Sequence, residues 1–562
     1  MQILWLDINS SYSHSNLALP ALHAQLDDKY DKEIEWKVAR GTIKSPKYEL
    51  VSQVVDFKPD VIFATAWLFN AQYLLSVIED VYALIPSVRI VLGGPEFLGT
   101  PSENEHYLRS HPEVFAVFRG DAEEDFSDLL DALSSPSSSS SSFSSSFSSF
   151  SSVRGLCFID NQGTYVDCGK ASVRDFVSLI PPERSSFFDW SKPFVQLETS
   201  KGCFNSCTFC VSGIKETVRD LPLSSLEERL EHFVSCGIKE IRVLDRTFNA
   251  APRRARALLE LFSHFVGRLR FHLEVHPAFL SKELLSDLAS MPDGLLHVEV
   301  GIQSLNDSVL ETCGRRGSVE KALEGVKNLL AMKKFEIHSD LIVGLPGYSY
   351  EMILEDTLHL ISLGVDEIQI ELLKCLPGTS MRNNAAALGL TYSPSPPYRV
   401  LSNDVSSFDK IEKAMVLSKI IDQWFNNKSG RKTFLFLIKN APEGFLSAFV
   451  DHCFYGRLLD ESMSKESRWN LLFSFCSESY PSVLDYISIG WVENDMSIKK
   501  APAARFRMWH PQDLVVNPLF KEGRGTMIYY YLESEQFVFW VSYDREVSKV
   551  KPFETQLKYR AN

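Results

Sequence analysis

Three cysteines stand close together in this sequence, at Cys203, Cys207 and Cys210. Thiolates are soft ligands that suit iron–sulfur clusters and zinc. A closed structural zinc site normally takes four ligands, often as two separated cysteine pairs, and no second Cys-x-x-Cys pair occurs in the chain. Three thiolates on a four-iron cluster leave one iron open to a substrate. The spacing therefore favours a substrate-binding [4Fe–4S] cluster, with a zinc site as the alternative.

The composition sets the class of protein. With 45% hydrophobic, 12% aromatic and 23% charged residues in 562, the chain is an ordinary globular protein rather than a disordered or fibrous one. Its net charge of −14 argues against broad binding to nucleic acid. No uncharged apolar run approaches the roughly 18 residues that span a bilayer. Since Asp7 interrupts the first apolar stretch, we expect no signal peptide and a cytoplasmic protein.

Short apolar runs alternate with helical segments over residues 1–133, which we predict to form one domain. The runs begin at the N-terminus and recur at residues 61–68, 87–94 and 114–120. Near-continuous apolar strands separated by helices are typical of a parallel sheet covered on both faces. We therefore predict an α/β, doubly wound (Rossmann-like) domain that binds its ligand at the carboxyl ends of the strands.

A serine-rich tract separates this domain from the next. Residues 134–152 hold fifteen serines and cannot bury enough apolar surface to fold, which indicates a flexible linker or insertion. We assign residues 153–185 as a connecting segment.

Strands and helices alternate again over residues 186–400. Six candidate strands lie at residues 194–200, 240–248, 270–275, 296–304, 336–345 and 367–374. Six such units predict a partial or closed β/α barrel with its active site at the carboxyl ends of the strands. Residues 401–562 are mixed and aromatic-rich, and we expect an α+β domain of unknown role there.

The cysteine spacing, placed directly after the first barrel strand, resembles that of radical S-adenosylmethionine (SAM) enzymes. Phe209 matches the aromatic residue that this family usually has before its last cysteine. The resemblance implies that Cys203, Cys207 and Cys210 hold a [4Fe–4S] cluster whose open iron chelates the amino and carboxylate groups of SAM. One electron, from a donor such as flavodoxin or ferredoxin, then cleaves SAM to a 5′-deoxyadenosyl radical that abstracts a substrate hydrogen.

Residues at the ends of the later strands extend this resemblance. Short polar side chains there face the mouth of a barrel, where they can pair with the ammonium, carboxylate and ribose groups of SAM. The SAM-binding residues that the resemblance implies are Phe209, Glu274, Glu299, Gln303, Ser304, Asp340 and Gly344. Arg315 and Arg316 are equally well explained as surface residues and are left out, and no catalytic residue is assigned.

The N-terminal domain resembles the cobalamin-binding domain that precedes the barrel in one large class of radical SAM proteins. Gly-Gly-Pro follows one strand and Arg-Gly-Asp the next, where the class usually has Arg-Gly-Glu. Glycines let the backbone approach a bulky ligand closely. The cobalamin-binding residues implied are Thr65, Ala66, Trp67, Gly93, Gly94, Pro95, Glu96, Gly120 and Asp121. The alternative is a domain that has kept this shape and lost the cofactor.

The first loop departs from a common cobalamin motif. Many cobalamin proteins carry Asp-x-His-x-x-Gly, whose histidine ligates cobalt, but the loop from Asp7 to His14 does not match this spacing. We therefore expect histidine-off cobalamin here.

With its C-terminal region, the chain resembles bacterial cobalamin-binding radical SAM proteins that carry a C-terminal domain of unknown function. Our leading hypothesis is an enzyme that methylates an unactivated carbon of an unknown small-molecule or peptide substrate. One alternative is a radical SAM enzyme that rearranges, cyclises or oxidises its substrate without methylation. The other is a non-catalytic metal-binding or RNA-associated protein, against which the acidic charge argues.

Overall fold

The computed structural model describes residues 1–14, 16–134, 149–213, 217–494 and 496, and four C-terminal strands whose ranges are given below. The chain divides into two compact units. The first comprises residues 1–349 and 372–407, and the second comprises residues 350–371 and 408–562. Both predicted cofactor-binding regions lie in the first unit.

The first unit opens with a seven-stranded sheet. Its strands are β1 (Gln2–Asn9), β2 (Glu35–Thr42), β3 (Val61–Thr65), β4 (Arg89–Gly93), β5 (Ala116–Phe118), β6 (Leu156–Ile159) and β7 (Tyr165–Asp167). They lie in the order β2–β1–β3–β4–β5–β6–β7. The first five are parallel, and β6 and β7 are antiparallel.

Helices cover both faces of this sheet. They are α1 (Ala18–His23), α2 (Asp28–Glu33), α3 (Lys47–Phe57), α4 (Ala71–Leu84), α5 (Pro101–Ser110) and α6 (Phe126–Ser134). Alternate residues of the central strands enter two separate cores, so that Ile62 belongs to one and Phe63 to the other. Every residue of β3 is buried for this reason. The predicted doubly wound α/β domain is confirmed.

Most of the serine-rich tract, residues 135–148, lies outside the described residues. Phe150 at the end of the tract is buried, with its ring centroid 5.4 Å from that of Phe115 and 6.0 Å from that of Phe158. The segment assigned from sequence as a connection contributes β6 and β7 to the sheet. The start of residues 153–185 is therefore part of the first fold.

The barrel sheet follows, with its first five strands in the same unit and most of its last strand in the second. Its strands are β8 (Val195–Leu197), β11 (Glu240–Val243), β12 (Arg270–Val275), β13 (Leu296–Gln303), β14 (Ile337–Val343) and β15 (Glu367–Leu372), and a small hairpin pairs β9 (Ser200–Lys201) with β10 (Arg219–Asp220). The order β15–β14–β13–β12–β11–β8 is that of an open six-stranded sheet. This confirms the partial β/α barrel.

Five helices connect the barrel strands before β15. They are α7 (Leu223–Ser235), α8 (Pro252–Ser263), α9 (Lys282–Ser290), α10 (Asp307–Thr312) and α11 (Val319–Met332). The buried residues of β12 pack on these helices, as Phe271 stacks on Phe262 of α8 with ring centroids 4.0 Å apart. The intervening residues, such as His272 and Glu274, therefore line the inner face of the sheet.

Residues Leu372–Ser407, the linking segment, return the chain to the first unit. They contain the short helix α13 (Ser380–Asn383) and an antiparallel pair formed by β16 (Thr391–Tyr392) and β17 (Val400–Ser402). The predicted barrel region of residues 186–400 thus contains a stretch, residues 350–371, that groups with the second unit.

The second unit is helical and ends in a sheet, which agrees with the predicted α+β class. Its helices are α12 (Tyr350–Leu363), α14 (Phe408–Ile420), α15 (Lys428–Asn440), α16 (Phe445–Tyr455), α17 (Lys465–Ser479) and α18 (Leu484–Glu493), with a π-helical stretch at Ile421–Asn426. Four antiparallel strands follow: β18 (Phe506–Trp509), β19 (Thr526–Leu532), β20 (Val538–Tyr543) and β21 (Val550–Phe553). None of the described helices combines the length and apolar character needed to cross a membrane.

Candidate active site

The three cysteines lie on one tightly wound loop after β9. The backbone N–H of Cys210 donates to the carbonyl of Cys207 at 3.1 Å, and that of Gly213 donates to Cys210 at 2.9 Å. A Cβ on Gly213 would lie 2.1 Å from the carbonyl oxygen of Cys207, so only glycine fits there. The loop therefore holds all three sulfur atoms on one short stretch of backbone.

Asp245, just after β11, anchors the start of this loop. It is 3% exposed, and its carboxylate accepts backbone N–H bonds from Thr199 at 2.7 Å and Ser200 at 2.9 Å, as well as the Thr199 hydroxyl. These bonds fix the chain three residues before Cys203. This positioning role of Asp245 was not predicted from the sequence.

The far side of the cysteine loop rests on the turn that follows α10. The N–H of Thr208 donates to the carbonyl of Cys313 at 2.8 Å, and the N–H of Arg316 donates to the Asn205 side chain at 3.2 Å. Arg315 lies with Nη1 3.9 Å from Cys207 Sγ while Nη2 donates to the carbonyl of Gly301. Arg315, which sequence alone could not separate from a surface residue, thus joins the cysteine loop to β13.

Three of the predicted SAM-binding carboxyl groups come together on the inner face of the barrel sheet. Glu274 on β12 pairs in register with Glu299 on β13, and Asp340 on β14 pairs with Gly301. Burial and the Glu299 charge raise the pKa of Glu274 to about 7. Burial and Glu299 also raise the pKa of Asp340 well above its usual range. Burial and the neighbouring charge therefore make two of the three carboxyl groups harder to ionise than usual.

Glu299 remains the ionised member of this group. Burial acts to raise its pKa, but the hydrogen bond from His272, the electrostatic influence of His338 and His272, and the hydrogen bond from Asp340 together lower it. The His272 Nε2 lies 2.9 Å from Glu299 Oε2, and the rings of His272 and His297 are 4.6 Å apart. His338 Nε2 lies 3.4 Å from Asp340. These three inward-facing histidines were not predicted; their signal in the sequence was the alternation of histidine and buried apolar residues along β12, β13 and β14.

The other predicted SAM-binding residues lie at the same end of the barrel. Gln303 ends β13 at a register shift and has a left-handed backbone (φ 73°), and Ser304 is fully buried and accepts the N–H of Asn306. Gly344 follows β14 with φ 89°. Phe209 is half-buried on the cysteine loop. The positive φ of Gly344 favours glycine, and a Cβ at this position would lie 3.2 Å from the Val400 side chain.

The first sheet presents a second candidate site, at its carboxyl edge. Strand β2 lies on one side of β1, and β3 lies on its other side. The carboxyl ends of β1 and β3 therefore form a topological switch point, which is where open α/β sheets bind their ligands. At the turn after β4, Gly94 has φ 108°, and a Cβ on it would lie 2.6 Å from the carbonyl oxygen of Ala66. The turns after β3 and β4 are thus packed backbone to backbone.

Exposed aromatic rings lie in the loops that follow β1 and β3. Trp67 and Phe69 are 36% and 38% exposed and stack with ring centroids 6.3 Å apart, and Tyr12 in the first loop is 76% exposed. Thr65 and Ala66 are buried and support the turn from beneath. Gly93, Pro95 and Glu96 complete the turn, and Glu96 Oε2 is buried without a hydrogen-bond partner in the described chain. An apolar rim with one unsatisfied carboxyl oxygen fits a large amphipathic ligand.

Gly120 and Asp121 have local structural partners. A Cβ on Gly120 would lie 2.1 Å from the carbonyl oxygen of Ala171. The close approach of the backbone at Ala171 therefore explains this glycine without a ligand. Asp121 pairs with Lys201 at 3.2 Å, and Lys201 also lies 3.6 Å from Glu123. Lys201 precedes the cysteine loop, so this ion pair joins the edge of the first sheet to the barrel.

The first loop also reaches the barrel. Lys192 Nζ donates to the carbonyl of Tyr12 at 2.7 Å, and the ring of His14 meets that of Phe194 edge-on at 5.7 Å. His14 Nδ1 lies 2.8 Å from the hydroxyl of Ser11, and burial lowers the pKa of His14. Together with the ion pair between Asp121 and Lys201, these contacts join loops at the carboxyl edge of the first sheet to β8 and to the start of the cysteine loop inside one compact unit.

Comparison with known families agrees with this geometry. Residues 197–360 match the model of the radical SAM superfamily. This stretch of the chain is therefore a radical SAM domain. Residues 386–498 match a second model, described as a protein of unknown function (DUF4080).

Three relatives illustrate the breadth of the likeness. The tRNA-2-methylthio-N6-dimethylallyladenosine synthase of Herpetosiphon aurantiacus is 30% identical over 206 residues, covering 34% of this chain and 46% of that protein. The cobalamin-dependent radical SAM methyltransferase TokK of Streptomyces tokunonensis is 23% identical over 429 residues, covering 72% of this chain and 60% of TokK. The structure of the cobalamin-dependent radical enzyme OxsB with aqua-cobalamin shares the fold, with a TM-score of 0.57 and 14% identity over 89% of this chain and 82% of OxsB. The chain thus spans about half of the first relative's length.

Proposed function

We propose that the protein is a cobalamin-dependent radical SAM methyltransferase that methylates an unactivated carbon of a small molecule or peptide. The observation that carries the proposal is the meeting, within one unit, of the cysteine-loop end of the barrel with the carboxyl edge of a Rossmann-like sheet. Holding two reacting groups together in one site removes a large share of the barrier to their reaction. The likeness of most of the chain to the cobalamin-dependent proteins TokK and OxsB supports this interpretation.

The cysteine loop fits a [4Fe–4S] cluster. Cys203, Cys207 and Cys210 supply three thiolates, Asp245 and the turn at Cys313 hold the loop, and Arg315 places a positive charge beside Cys207. Hydrogen bonds and charges near cluster sulfurs tune the reduction potential.

The inner face of the barrel fits SAM. Ionised Glu299 offers a counter-charge to an ammonium group, and Glu274 and Asp340, whose pKa values are raised, offer carboxyl groups that can hydrogen-bond to a carboxylate or hydroxyl. Gly344 and Gln303 shape the backbone beside them.

The carboxyl edge of the first sheet fits cobalamin. The Gly94 turn brings backbone to the surface, and the rings of Trp67, Phe69 and Tyr12 offer apolar area to a corrin. His14 is bound to Ser11 and packed on Phe194, which supports a histidine-off mode. When bound, the three cofactors supply a one-electron reductant, a hydrogen-abstracting deoxyadenosyl group and a methyl carrier. The chain contributes placement and exclusion of water.

Product analysis tests this proposal. Anaerobically reconstituted protein is incubated with SAM, a reductant and hydroxocobalamin, and nucleosides are identified by mass spectrometry. Deoxyadenosine together with S-adenosylhomocysteine is the expected result. Deoxyadenosine alone would instead favour rearrangement, cyclisation or oxidation without methyl transfer, and iron-free protein that retains zinc would overturn the radical mechanism.

A further inference from the structure

The linking segment Leu372–Ser407 touches all three candidate cofactor regions. Val400 packs against Gly344 at the end of β14. The N–H of Met381 donates to the carbonyl of Thr208, inside the cysteine loop, at 2.9 Å. The hydroxyl of Tyr398 donates to the carboxylate of Glu96, in the turn after β4.

The contact between Tyr398 and Glu96 is buried and specific. Tyr398 is 6% exposed and has φ 58°, a left-handed conformation that a tyrosine adopts only when its surroundings hold it there. Burial raises the pKa of Glu96, and the hydroxyl of Tyr398 opposes that shift. Tyr398 therefore orients a carboxyl group whose second oxygen, Oε2, is left free at the turn.

Arg382 extends the same connection. Its Nε donates to Glu103 of α5 at 2.8 Å, its Nη1 donates to the carbonyl of Cys375 at 3.0 Å, and its guanidinium lies 4.4 Å from the centre of the Tyr398 ring. A Cβ on Gly378 would lie 2.5 Å from the carbonyl oxygen of Leu98. The linking segment thus contacts residues 96–103, after β4, at three points and the cysteine loop at a fourth.

We propose that the linking segment is a built-in spacer that fixes the turn at residues 93–97 against the cysteine loop, with Tyr398 as a positioning residue for cobalamin bound at that turn. The inference rests on the proposed function, because it needs a corrinoid at the first sheet. It also assigns a role to the start of the DUF4080 region, whose residues 386–407 belong to the first unit. These residues complete a cofactor site rather than form a separate module.

The test measures cobalamin binding by the full-length, cluster-loaded protein. Hydroxocobalamin is titrated into wild type, Tyr398→Phe, Glu96→Leu and the double variant, and bound ligand is followed by its absorption spectrum. Tyr392→Phe is the matched control, since its ring also lies near Arg382, at 5.7 Å. We expect Tyr398→Phe to weaken binding about tenfold, the effect of losing one hydrogen bond to a buried carboxyl group. The double variant should bind no more weakly than Glu96→Leu, because Tyr398 acts through Glu96.

A merely structural tyrosine would give a different pattern. It would lower iron content and thermal stability without cobalamin while leaving the Kd of the folded fraction unchanged, and this result would overturn the proposal. Equal Kd values for wild type and Tyr398→Phe would overturn it too, as would losses that simply add in the double variant. Wild type that binds no cobalamin would sink the proposed function as well, which separates that failure from failure of the spacer alone.

Discussion

The two parallel sheets of the first unit build sites in different ways. Strands β1, β3 and β4 are buried on both faces, so the first sheet can meet a ligand only where its strands end, through backbone turns such as that at Gly94. Strands β12, β13 and β14 alternate buried and half-buried residues, so the barrel sheet offers side chains such as Glu299 along its inner face. The first site depends on backbone shape, and the second on ionisable side chains.

The largest expected effect separates the two sites outright. Cys207→Ala removes one of three cluster ligands, so we expect loss of bound iron and of all deoxyadenosine formation, while cobalamin binding stays within about twofold of wild type. Iron analysis, nucleoside mass spectrometry and cobalamin titration check these outcomes. Cys236→Ala, at an exposed thiol, is the control. Retention of the cluster in Cys207→Ala would contradict the assignment.

The converse change tests the backbone-built site. Gly94→Val would force a Cβ within 2.6 Å of the Ala66 carbonyl in a left-handed conformation, so we expect at least roughly tenfold weaker cobalamin binding with normal iron content. Gly163→Val is the control, because Gly163 also has a positive φ but has no atom within 4 Å of the added Cβ. Equal cobalamin affinity in the two variants would show that the turn is not the binding surface.

A smaller effect concerns the support of the cysteine loop. Asp245→Ala removes three buried hydrogen bonds to Thr199 and Ser200, and we expect a loss of about 1.5–3 kcal/mol in the free energy of unfolding. Reconstituted iron content should fall with it, which chemical denaturation and iron analysis will measure together. Asp287→Ala breaks a more exposed ion pair to Arg256 and should cost less than about 1 kcal/mol. Similar costs for both variants would argue against an anchoring role for Asp245.

The last effect, a change of stability with pH, follows from the proton on Glu274. Its folded-state pKa of about 7 lies above the ordinary value of 4.5. Between pH 4.5 and about 7, the folded protein therefore keeps a proton that the unfolded chain has lost. Stability contributed by this group therefore falls as pH rises from about 4.5 through 7, by at most about 3 kcal/mol. In thermal melting of cofactor-free protein, the melting temperature of Glu274→Gln should rise relative to that of wild type as the pH increases from 5 to 8. The exposed variant Glu324→Gln should show no such gain, and a constant difference for Glu274→Gln would refute the shift.

Local pattern predicted most of the fold. The apolar runs at residues 61–68 and 87–94 contain β3 (Val61–Thr65) and β4 (Arg89–Gly93). The strand β2 was missed because it lies at the edge of the first sheet, where Glu35 and Arg40 are exposed and no apolar run marks it. The hairpin β6–β7 was missed because its strands are only four and three residues long.

The site was predictable only where neighbours in sequence carry it. The cysteines and the glycines of the turn after β4 stand in short motifs, and the structure brings each set together. Arg315 and Tyr398 act through partners far away in sequence; Tyr398 meets Glu96 across 302 residues. Such contacts depend on strand register and loop paths, which a single sequence does not display.

The division of each unit into two pieces of chain has a consequence for synthesis. Ribosomes add about 5–20 residues per second, and domains fold as their residues emerge. The first unit needs the linking segment, so its cofactor sites cannot be completed until residue 407 has left the ribosome, after residues 350–371 of the second unit. We therefore expect cofactors to bind only late in synthesis. Because each unit is built from two separate stretches of chain, neither can be transferred to another protein as one continuous segment.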